Sequence, residues 1–227
     1  MDIKDLLPEQ DEQMFICGMK GAGKTTFVKN LIRPIAKKQL VIIIDSKPEW
    51  ENLVPMFGNG EYHKLNPRFL FMLRKESARG IYVYQCDPNV KAHSDKNVDK
   101  IIRWAIARGK FKKKRKKPNC TIYVDEFGDF SKGHTTSYMM DKLLRQSRSK
   151  NIRLIIGTQR PSGIDLKAIT EARTFVVMTL QHLADRKRMA QEVHPYMLRM
   201  VEPLQLWFYR TPKRGEKPKI YLITQAA

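Results

Sequence analysis

One short segment has the residue types and spacing that bind a nucleoside triphosphate. Residues 18–25 read Gly-Met-Lys-Gly-Ala-Gly-Lys-Thr, which matches the pattern G-x-x-x-x-G-K-[ST]. Glycines let the main chain wrap closely around phosphate groups and point its N–H groups at their oxygens. Lys24 can neutralise the β- and γ-phosphates, and the Thr25 hydroxyl can hold Mg²⁺. The predicted nucleotide-binding residues are Gly18, Met19, Lys20, Gly21, Ala22, Gly23, Lys24, Thr25 and Thr26.

Two adjacent carboxylates follow an apolar segment further along the chain, where residues 120–126 read Cys-Thr-Ile-Tyr-Val-Asp-Glu. Ligands of parallel α/β sheets bind beyond the carboxyl ends of the strands. We therefore expect Asp125 to lie beside Thr25 and to hold Mg²⁺, usually through water. Glu126 is then placed to polarise an attacking water molecule, which favours hydrolysis over phosphoryl transfer to a small substrate. The alternative for this pair is a solvated strand end.

The segments that must position these residues alternate between apolar, β-rich stretches and stretches of helical spacing. The predicted strands are 13–17, 40–45, 81–85, 121–125, 153–157 and 174–179. One predicted helix begins at residue 24, and the others cover 69–76 (after an Asn66-Pro67 cap), 95–108, 135–148 and 182–193. Residues 204–209 and 219–224 are predicted to form a C-terminal hairpin. This alternation is typical of βαβ units, so it predicts an α/β fold with a mostly parallel sheet.

A third segment, residues 145–165, contains an arginine after a helix, a buried strand and the residues Thr-Gln-Arg-Pro-Ser. In this it resembles the FtsK–HerA superfamily of ring-forming, DNA-pumping ATPases. Residues 43–49, Ile-Ile-Asp-Ser-Lys-Pro-Glu, are also similar to that family's I-D-P-K-x-E segment. The resemblance covers roughly residues 13–180. Two positions differ, because Ser147 stands where many relatives have glycine and Ser46 replaces the usual proline.

The resemblance implies a fold and further site residues. The implied fold is a RecA-like P-loop NTPase of the additional-strand, catalytic-glutamate type, a three-layer sandwich around the central sheet. Gln159 would sense the γ-phosphate and orient water, with a polar strand cap as the alternative. Arg148 would be the arginine finger for a neighbouring subunit, with Arg145 as its substitute. Such a finger raises the rate by about 10³–10⁵-fold. The alternative for Arg148 is a cation that satisfies the helix dipole.

A motor core of this length, without membrane or barrel regions, is most similar to the genome-packaging ATPases of membrane-containing viruses and phages. The resemblance therefore implies one domain over residues 1–227, with a core of about 13–180 and an extension at 181–227. It also implies a pentameric or hexameric ring, double-stranded DNA as the substrate, and docking to a capsid or viral membrane protein.

The charge of the chain independently favours a polyanionic partner. Lys and Arg total 43 against 23 Asp and Glu, which gives a net charge of +20. Residues 100–117 hold ten Lys or Arg and no acid. The predicted nucleic-acid contacts are Lys110, Lys112, Lys113, Lys114, Arg115, Lys116 and Lys117. This concentration suits sequence-independent contact with phosphates. A solvated surface loop and a nuclear localisation signal are the alternatives.

Other features of the sequence exclude several classes of protein. No apolar segment approaches the ~18 residues of a membrane span, and no signal peptide is visible. Three cysteines without a C-x-x-C pattern argue against a disulfide framework or a zinc ribbon. We therefore expect the protein to be in the reducing cytosol. If the protein is viral, the host cytoplasm and the virion vertex are its expected locations. Trp50 is either a core residue or an interface anchor.

The combined prediction is an Mg²⁺-dependent ATPase whose hydrolysis drives double-stranded DNA through a ring, into a viral capsid. Three alternatives stay open at this point. One is an assembly or export ATPase that acts on a protein partner. The second is a cellular HerA- or FtsK-like segregation or conjugation motor. The third is a small-molecule kinase, against which Glu126 and Gln159 argue.

Overall fold

The computed structural model describes residues 6, 12–47, 49–50, 62–74, 79–87, 96–110, 120–132, 135–200, 205–211 and 219–224. The strands are β1 Gln13–Cys17, β2 Leu40–Asp45, β3 Tyr62–Lys64, β4 Gly80–Gln85, β5 Cys120–Asp125, β6 Ser131–Lys132, β7 Thr135–Thr136, β8 Ile152–Thr158, β9 Thr174–Met178, β10 Gln205–Arg210 and β11 Lys219–Thr224. The α-helices are α1 Lys24–Ala36, α2 Lys96–Lys110, α3 Tyr138–Gln146, α4 Lys167–Thr170 and α5 Leu183–Glu192. Shorter 3₁₀ helices cover Pro67–Arg74, Phe127–Phe130, Arg148–Lys150, Pro161–Gly163 and Pro195–Arg199.

Nine strands of the described chain form one sheet in the order β11-β10-β9-β1-β8-β5-β2-β4-β3. The pairings from β9 across to β3 are all parallel, whereas β10 and β11 run antiparallel at one edge. β8 lies between β1, which precedes the phosphate-binding segment, and β5, which ends at Asp125 and is followed directly by Glu126. This inserted strand is the feature that the additional-strand class requires, so the predicted fold is confirmed.

The central strands of the sheet are buried on both faces, because helices cover each face and form the two outer layers of a three-layer structure. Along β2, Leu40, Ile42 and Ile44 pack with α2 and α3 on one face of the sheet. Val41 and Ile43 pack with α1 on the other face. Successive side chains of a strand point to opposite faces, so a continuous apolar sequence supplies both cores at once.

Two helix predictions had the wrong boundaries. The helix expected over 135–148 is α3, which begins only after Ser137, whose hydroxyl accepts the Met140 N–H at 3.2 Å. Before that cap, β7 pairs with β6 instead of joining the helix. The helix expected over 69–76 is a 3₁₀ helix that begins at Pro67, where the Asn66 side chain accepts the Arg68 N–H at 3.0 Å.

The predicted C-terminal hairpin is confirmed. β10 pairs antiparallel with both β9 and β11, so this part of the chain continues the main sheet. The rings of Trp207 and Tyr209 stack on one face of β10 with centroids 5.3 Å apart. The short strand β3 had no counterpart among the predicted strands. The division into a core and a C-terminal extension stays a prediction.

Two simpler observations complete the fold. Cys17, Cys86 and Cys120 are all buried, and none of them forms a disulfide within the described residues. Within the described ranges, none of the helices combines the length and the apolar character that crossing a bilayer requires.

Candidate active site

The predicted motifs meet in one pocket at the carboxyl ends of β1, β2, β5 and β8. Its volume is about 340 Å³. The lining residues are Lys20, Gly21, Gly23, Lys24, Thr25, Thr26, Lys47, Glu49, Asp125, Glu126 and Gln159. Parallel strands bring their carboxyl ends to the same edge of a sheet, which is why segments so distant in sequence share this pocket.

The phosphate-binding loop is tied to the strands on both sides of β1. The Gly18 N–H donates to the Thr158 carbonyl at 3.3 Å, and the Met19 N–H donates to the Thr179 carbonyl at 2.8 Å. Gly23 has φ of 92°, a left-handed conformation that favours glycine, and α1 begins directly after it. The unpaired N–H groups of the first turn of α1 therefore face the pocket as an anion-binding site.

Within this loop, the predicted nucleotide-binding residues divide into two groups. Lys20, Gly21, Gly23, Lys24, Thr25 and Thr26 line the pocket. Gly18, Met19 and Ala22 build the frame of the loop instead, where the Ala22 N–H donates to the Met19 carbonyl at 3.2 Å.

Lys24 lies folded across its own loop. Its ammonium donates to the carbonyls of Gly18 at 2.6 Å and Met19 at 3.1 Å, and only 9% of the residue is exposed. Burial lowers the pKa of Lys24, while the nearby Glu126 and Asp125 carboxylates oppose that change. Phosphate oxygens accept stronger hydrogen bonds from an ammonium than carbonyls do, so a bound phosphate would be a better partner for Lys24.

Asp125 is held in one orientation by three donors. Its Oδ1 accepts the Tyr123 hydroxyl at 2.8 Å and the Glu126 N–H at 3.1 Å, and its Oδ2 accepts the Trp50 indole N–H at 2.9 Å. Burial raises the pKa of Asp125, and the bonds from Tyr123 and Trp50 act in the opposite direction. Tyr123 and Asp125 are two residues apart on β5 and so share a face of the sheet.

Trp50 is thus a functional residue that sequence reasoning did not find. It is completely buried and packs edge-on against Tyr123, with ring centroids 5.6 Å apart. Of the two predicted alternatives, the structure shows the core residue, but one whose indole also orients a site carboxylate. The only signal in the sequence was its position directly after the segment 43–49.

The oxygen groups around the pocket suit a hard divalent cation. The Thr25 hydroxyl donates to Glu49 Oε2 at 3.2 Å, and Asp125 lines the same pocket. Asp45, at the end of β2, is also buried beside this pocket edge, and burial raises its pKa to about 7. Burial is the largest cause of the raised pKa of both Asp45 and Asp125, and neighbouring carboxylates raise these pKa values further. A bound cation would favour the charged form of both groups. Mg²⁺ binds through one or two carboxylates together with substrate phosphates and water, and the donors present fit that pattern.

Glu126 occupies a strained position with partners at both carboxylate oxygens. Its backbone has φ of 49°, a left-handed conformation that costs about 1–3 kcal/mol for a residue with a side chain. Oε1 accepts the Thr158 hydroxyl at 3.1 Å and the Gln159 main-chain N–H at 3.0 Å, and Oε2 lies 3.6 Å from the Lys47 ammonium. Strain of this kind persists only where the surrounding contacts fix the conformation.

Gln159 lines the pocket at the end of β8, as predicted, and the residues after it are anchored to α5. Asp185, which is buried on α5, pairs with the Arg160 guanidinium at 2.9 Å. The same carboxylate accepts the Ser162 N–H at 3.0 Å and the Ser162 hydroxyl at 2.6 Å. Sequence reasoning missed Asp185, since nothing in the surrounding residues marks it.

The two predicted finger arginines lie away from the pocket of their own chain. Arg148 begins the 3₁₀ helix that leads into the amino end of β8, whereas Gln159 follows the carboxyl end. Because β8 rises ~3.3 Å per residue, its two ends are about 20 Å apart. Arg145 forms an ion pair with Asp141, which also binds Lys167 at 2.6 Å. A role of either arginine in a neighbouring site remains a prediction.

The predicted nucleic-acid segment falls largely outside the described residues. α2 ends at Lys110, and residues 112–117 belong to the part of the chain that the structure does not describe. Residues of α2, of α3 and of the 3₁₀ helix after α3 line a cleft of about 370 Å³. Its polar lining residues are Arg103, Lys142, Gln146 and Lys150.

Comparison with known proteins finds a relative among the phage packaging ATPases. The chain is 28% identical over 183 residues to the DNA packaging ATPase P9 of Enterobacteria phage PRD1, which covers 80% of this chain and 70% of that protein. No protein-family model matches the chain.

Solved structures share the fold. The genome packaging NTPase B204 of Sulfolobus turreted icosahedral virus 2, in complex with ATP-gammaS, aligns with a TM-score of 0.69 at 16% identity, over 94% of this chain and 98% of that chain. The bacterial conjugative coupling protein TrwB aligns with a TM-score of 0.67 at 9% identity, over 98% of this chain and 85% of that chain.

The fold and the pocket together define a P-loop ATPase with the inserted strand and a carboxylate beside the phosphate-binding loop. Within that class, the chain is similar to the viral packaging ATPases, which agrees with the resemblance predicted from its motifs.

Proposed function

We propose that this ATPase is a genome-packaging motor that moves double-stranded DNA into a viral capsid. The observation that carries the proposal is the similarity to a phage DNA packaging ATPase over four-fifths of the chain, in a protein whose motifs meet in one pocket. The residues of that pocket provide a binding site for the triphosphate and a base for its hydrolysis.

The residues of the predicted motifs each have a role in this proposal. The loop residues and Lys24 bind the phosphates of ATP, and Thr25 and Asp125 hold Mg²⁺. The metal, when bound, neutralises charge on the β- and γ-phosphates. Glu126 accepts a proton from the attacking water, and Gln159 lies beside the terminal phosphate to orient that water. Tyr123 and Trp50 keep Asp125 in one orientation.

A ring explains how Arg148 reaches a nucleotide. The pocket and Arg148 lie at opposite edges of the sheet, so one molecule cannot bring them together. A head-to-tail contact between subunits places one edge against the opposite edge of the next subunit, and repetition of such a contact closes a pentamer or hexamer. Arg148, with Arg145 as its substitute, then completes the neighbouring site.

The charge distribution supports DNA as the substrate. In addition to the net charge of +20, Arg103, Lys142 and Lys150 surround one cleft, and no ion pair links any of them to a carboxylate of the described residues. Lys110 is the last residue of α2, and residues 112–117 come soon after it in the sequence. We propose that both regions contact the phosphate backbone without regard to sequence.

The remaining parts of the proposal concern location and docking. A packaging motor works in the host cytoplasm and at the vertex of the virion, where it contacts a capsid protein or a viral membrane protein. A conjugation motor is the second candidate, because the chain shares its fold with a conjugative coupling protein. A DNA substrate is common to both candidates, whereas an assembly ATPase would act on a protein.

Steady-state ATP hydrolysis by the purified chain tests the proposal. The rate should be measured over a series of protein concentrations, with and without double-stranded DNA. A ring with a finger in trans predicts a rate per molecule that rises with protein concentration and rises again with DNA. A rate per molecule that is constant on dilution and indifferent to DNA would contradict the motor.

Mixing two inactive variants tests the trans arginine separately. Lys24→Ala destroys the pocket of its own subunit, and Arg148→Ala removes the finger that the subunit offers to its neighbour. A mixed ring contains sites with an intact Lys24 and an intact neighbouring Arg148, so activity should return on mixing. If mixing restores nothing while each variant still forms rings with wild-type protein, Arg148 does not act in trans.

A further inference from the structure

The segment that follows β2 contacts three residues to which the proposed function gives a role, Thr25, Asp125 and Glu126. Trp50 binds Asp125, Glu49 binds Thr25, and Lys47 lies beside Glu126. Ser46 adds a contact to Asp129 in the 3₁₀ helix after Glu126, at 2.5 Å. Ser46, Lys47 and Glu49 belong to the motif 43–49, and Lys47 is the cation of that motif.

The bend that carries Lys47 is fixed by hydrogen bonds from main-chain N–H groups to a side-chain carboxylate. The carboxylate of Asp45 accepts the Lys47 N–H at 3.1 Å and the Trp50 N–H at 3.0 Å. The backbone is therefore anchored at both ends of the bend. The Lys47 side chain, in contrast, is 43% exposed, so its ammonium can move on a flexible stem without disturbing the fold.

Glu126 cannot serve as a base while both of its oxygens are engaged. The Oε1 partners are the buried Thr158 hydroxyl and the main-chain N–H of Gln159, and both belong to the end of a central strand. The Oε2 partner is the Lys47 ammonium, 3.6 Å away. A general base must have a free oxygen within hydrogen-bond reach of water, and Lys47 is the partner that can leave.

The same pocket offers Lys47 a stronger partner. Lys47 and Lys24 both line the pocket that binds the phosphates. The terminal phosphate of ATP carries more negative charge than one carboxylate and presents three oxygens. Its arrival would draw the ammonium away from Glu126.

We infer that Lys47 is a positioning residue that holds Glu126 Oε2 while the pocket is empty and transfers to the terminal phosphate when ATP binds. The released oxygen then faces the attacking water. This inference rests on ATP hydrolysis at the pocket described above. It assigns to one lysine both the recognition of ATP over ADP and the release of the base.

The direct test compares Lys47→Met, which keeps the length of the stem, with Lys47→Arg, which keeps the charge. Lys47→Met should lower kcat about 10²-fold, as the loss of one electrostatic contact at the reacting group does. It should also weaken binding of a non-hydrolysable ATP analogue about tenfold and leave ADP binding unchanged, because ADP lacks the terminal phosphate. Lys47→Arg should recover most of both losses. Lys38→Met, an exposed lysine just after α1, is the matched control.

A double-mutant comparison separates positioning from simple phosphate binding. Glu126→Gln removes the charge that competes for Lys47, so it should tighten binding of the ATP analogue but not of ADP. In the Lys47→Met background that gain should disappear. Non-additivity of this kind requires that Glu126 and the terminal phosphate compete for the Lys47 ammonium.

Three results would overturn the inference. One is a wild-type kcat and an unchanged ratio of analogue to ADP affinity in Lys47→Met. Another is an equal loss of both affinities together with a lower melting temperature, which indicates a structural role. The third is a Glu126→Gln gain that persists without Lys47. A wild-type protein without ATPase activity would refute the proposed function instead, since the binding comparisons do not depend on turnover.

Discussion

Replacement of Tyr123 by Phe tests how the site orients its metal-binding carboxylate. The change removes one oxygen from a completely buried side chain, so it leaves a much smaller cavity than removal of the Trp50 ring would. The lost hydroxyl donates to Asp125 Oδ1 at 2.8 Å. Asp125 then keeps two of its donors, the Trp50 indole and the Glu126 N–H.

The size of the effect follows from the kind of bond. A hydrogen bond to a charged group contributes about 1.5–3 kcal/mol, so we expect the free energy of unfolding to fall by about 2 kcal/mol. For a chain of this size, 1 kcal/mol corresponds to about 2–4 °C in Tm, which gives a decrease of about 4–8 °C. Outer partners of metal ligands contribute about 10–100-fold in metal affinity or activity, so half-saturation by Mg²⁺ should need at least about tenfold more metal.

Thermal unfolding and an Mg²⁺ titration of the ATPase rate are the two assays. Tyr82→Phe is the matched control, because Tyr82 lies on the nearby strand β4 and its hydroxyl makes no hydrogen bond within the described part of the chain. If Tyr123→Phe changes Tm and the Mg²⁺ requirement no more than the control does, the hydroxyl does not orient Asp125.

Gly157 supplies an independent check on the same hydroxyl. A Cβ at Gly157 would lie 2.6 Å from the Tyr123 hydroxyl oxygen and 3.2 Å from the nearest ring carbons. Gly157→Ala should therefore destabilise the wild type by about 1–3 kcal/mol through overpacking. The same substitution should cost less in the Tyr123→Phe background, because the closest atom is gone. Equal costs in both backgrounds would show that the clash is relieved elsewhere.

Four further predictions concern other parts of the molecule. Lys24→Ala should lose measurable binding of ATP analogues and ADP in calorimetry, and tight binding by this variant would refute the phosphate-loop assignment. Glu126→Gln should bind ATP and stall, so normal turnover in a phosphate-release assay would exclude it as the base. Asp185→Asn should lower the free energy of unfolding in urea by about 1.5–3 kcal/mol, since it removes a buried charge that holds the segment after Gln159, and an unchanged midpoint would contradict this. Charge reversal across residues 112–117 should weaken DNA binding and flatten its salt dependence, whereas an unchanged slope would place DNA elsewhere.

The parts of the site that the sequence predicted are those with local causes. The phosphate-binding loop is one continuous segment of the chain. Its glycines let main-chain N–H groups point at phosphate oxygens, and the long side chain of Lys24 reaches the same phosphates. Asp125, Glu126 and Gln159 each follow an apolar strand, and the carboxyl ends of parallel strands must share an edge of the sheet. These positions were predicted from the sequence, and the structure brings them into one pocket.

Helix boundaries failed where a local competitor was not recognised. α3 begins two residues after β7 because the Ser137 side chain caps it, while Thr135 and Thr136 pair with β6. Pairs of β-branched residues favour strands, and a serine side chain can cap a helix instead of continuing it. The sequence alone does not show which of these conformations such residues adopt.

The sequence by itself determined the class of fold, the phosphate-binding loop and the strand ends that carry the chemistry, because each depends on neighbours in the chain. Only the tertiary structure decided which side chains hold those groups: Tyr123 and Trp50 on Asp125, Lys47 on Glu126, and Asp185 on the segment after Gln159. β5 is buried on both faces, so its residues show no alternation from which the face of Tyr123 could be read. The polar partners come from different strands and helices, and their meeting depends on strand order and register, which local pattern does not encode.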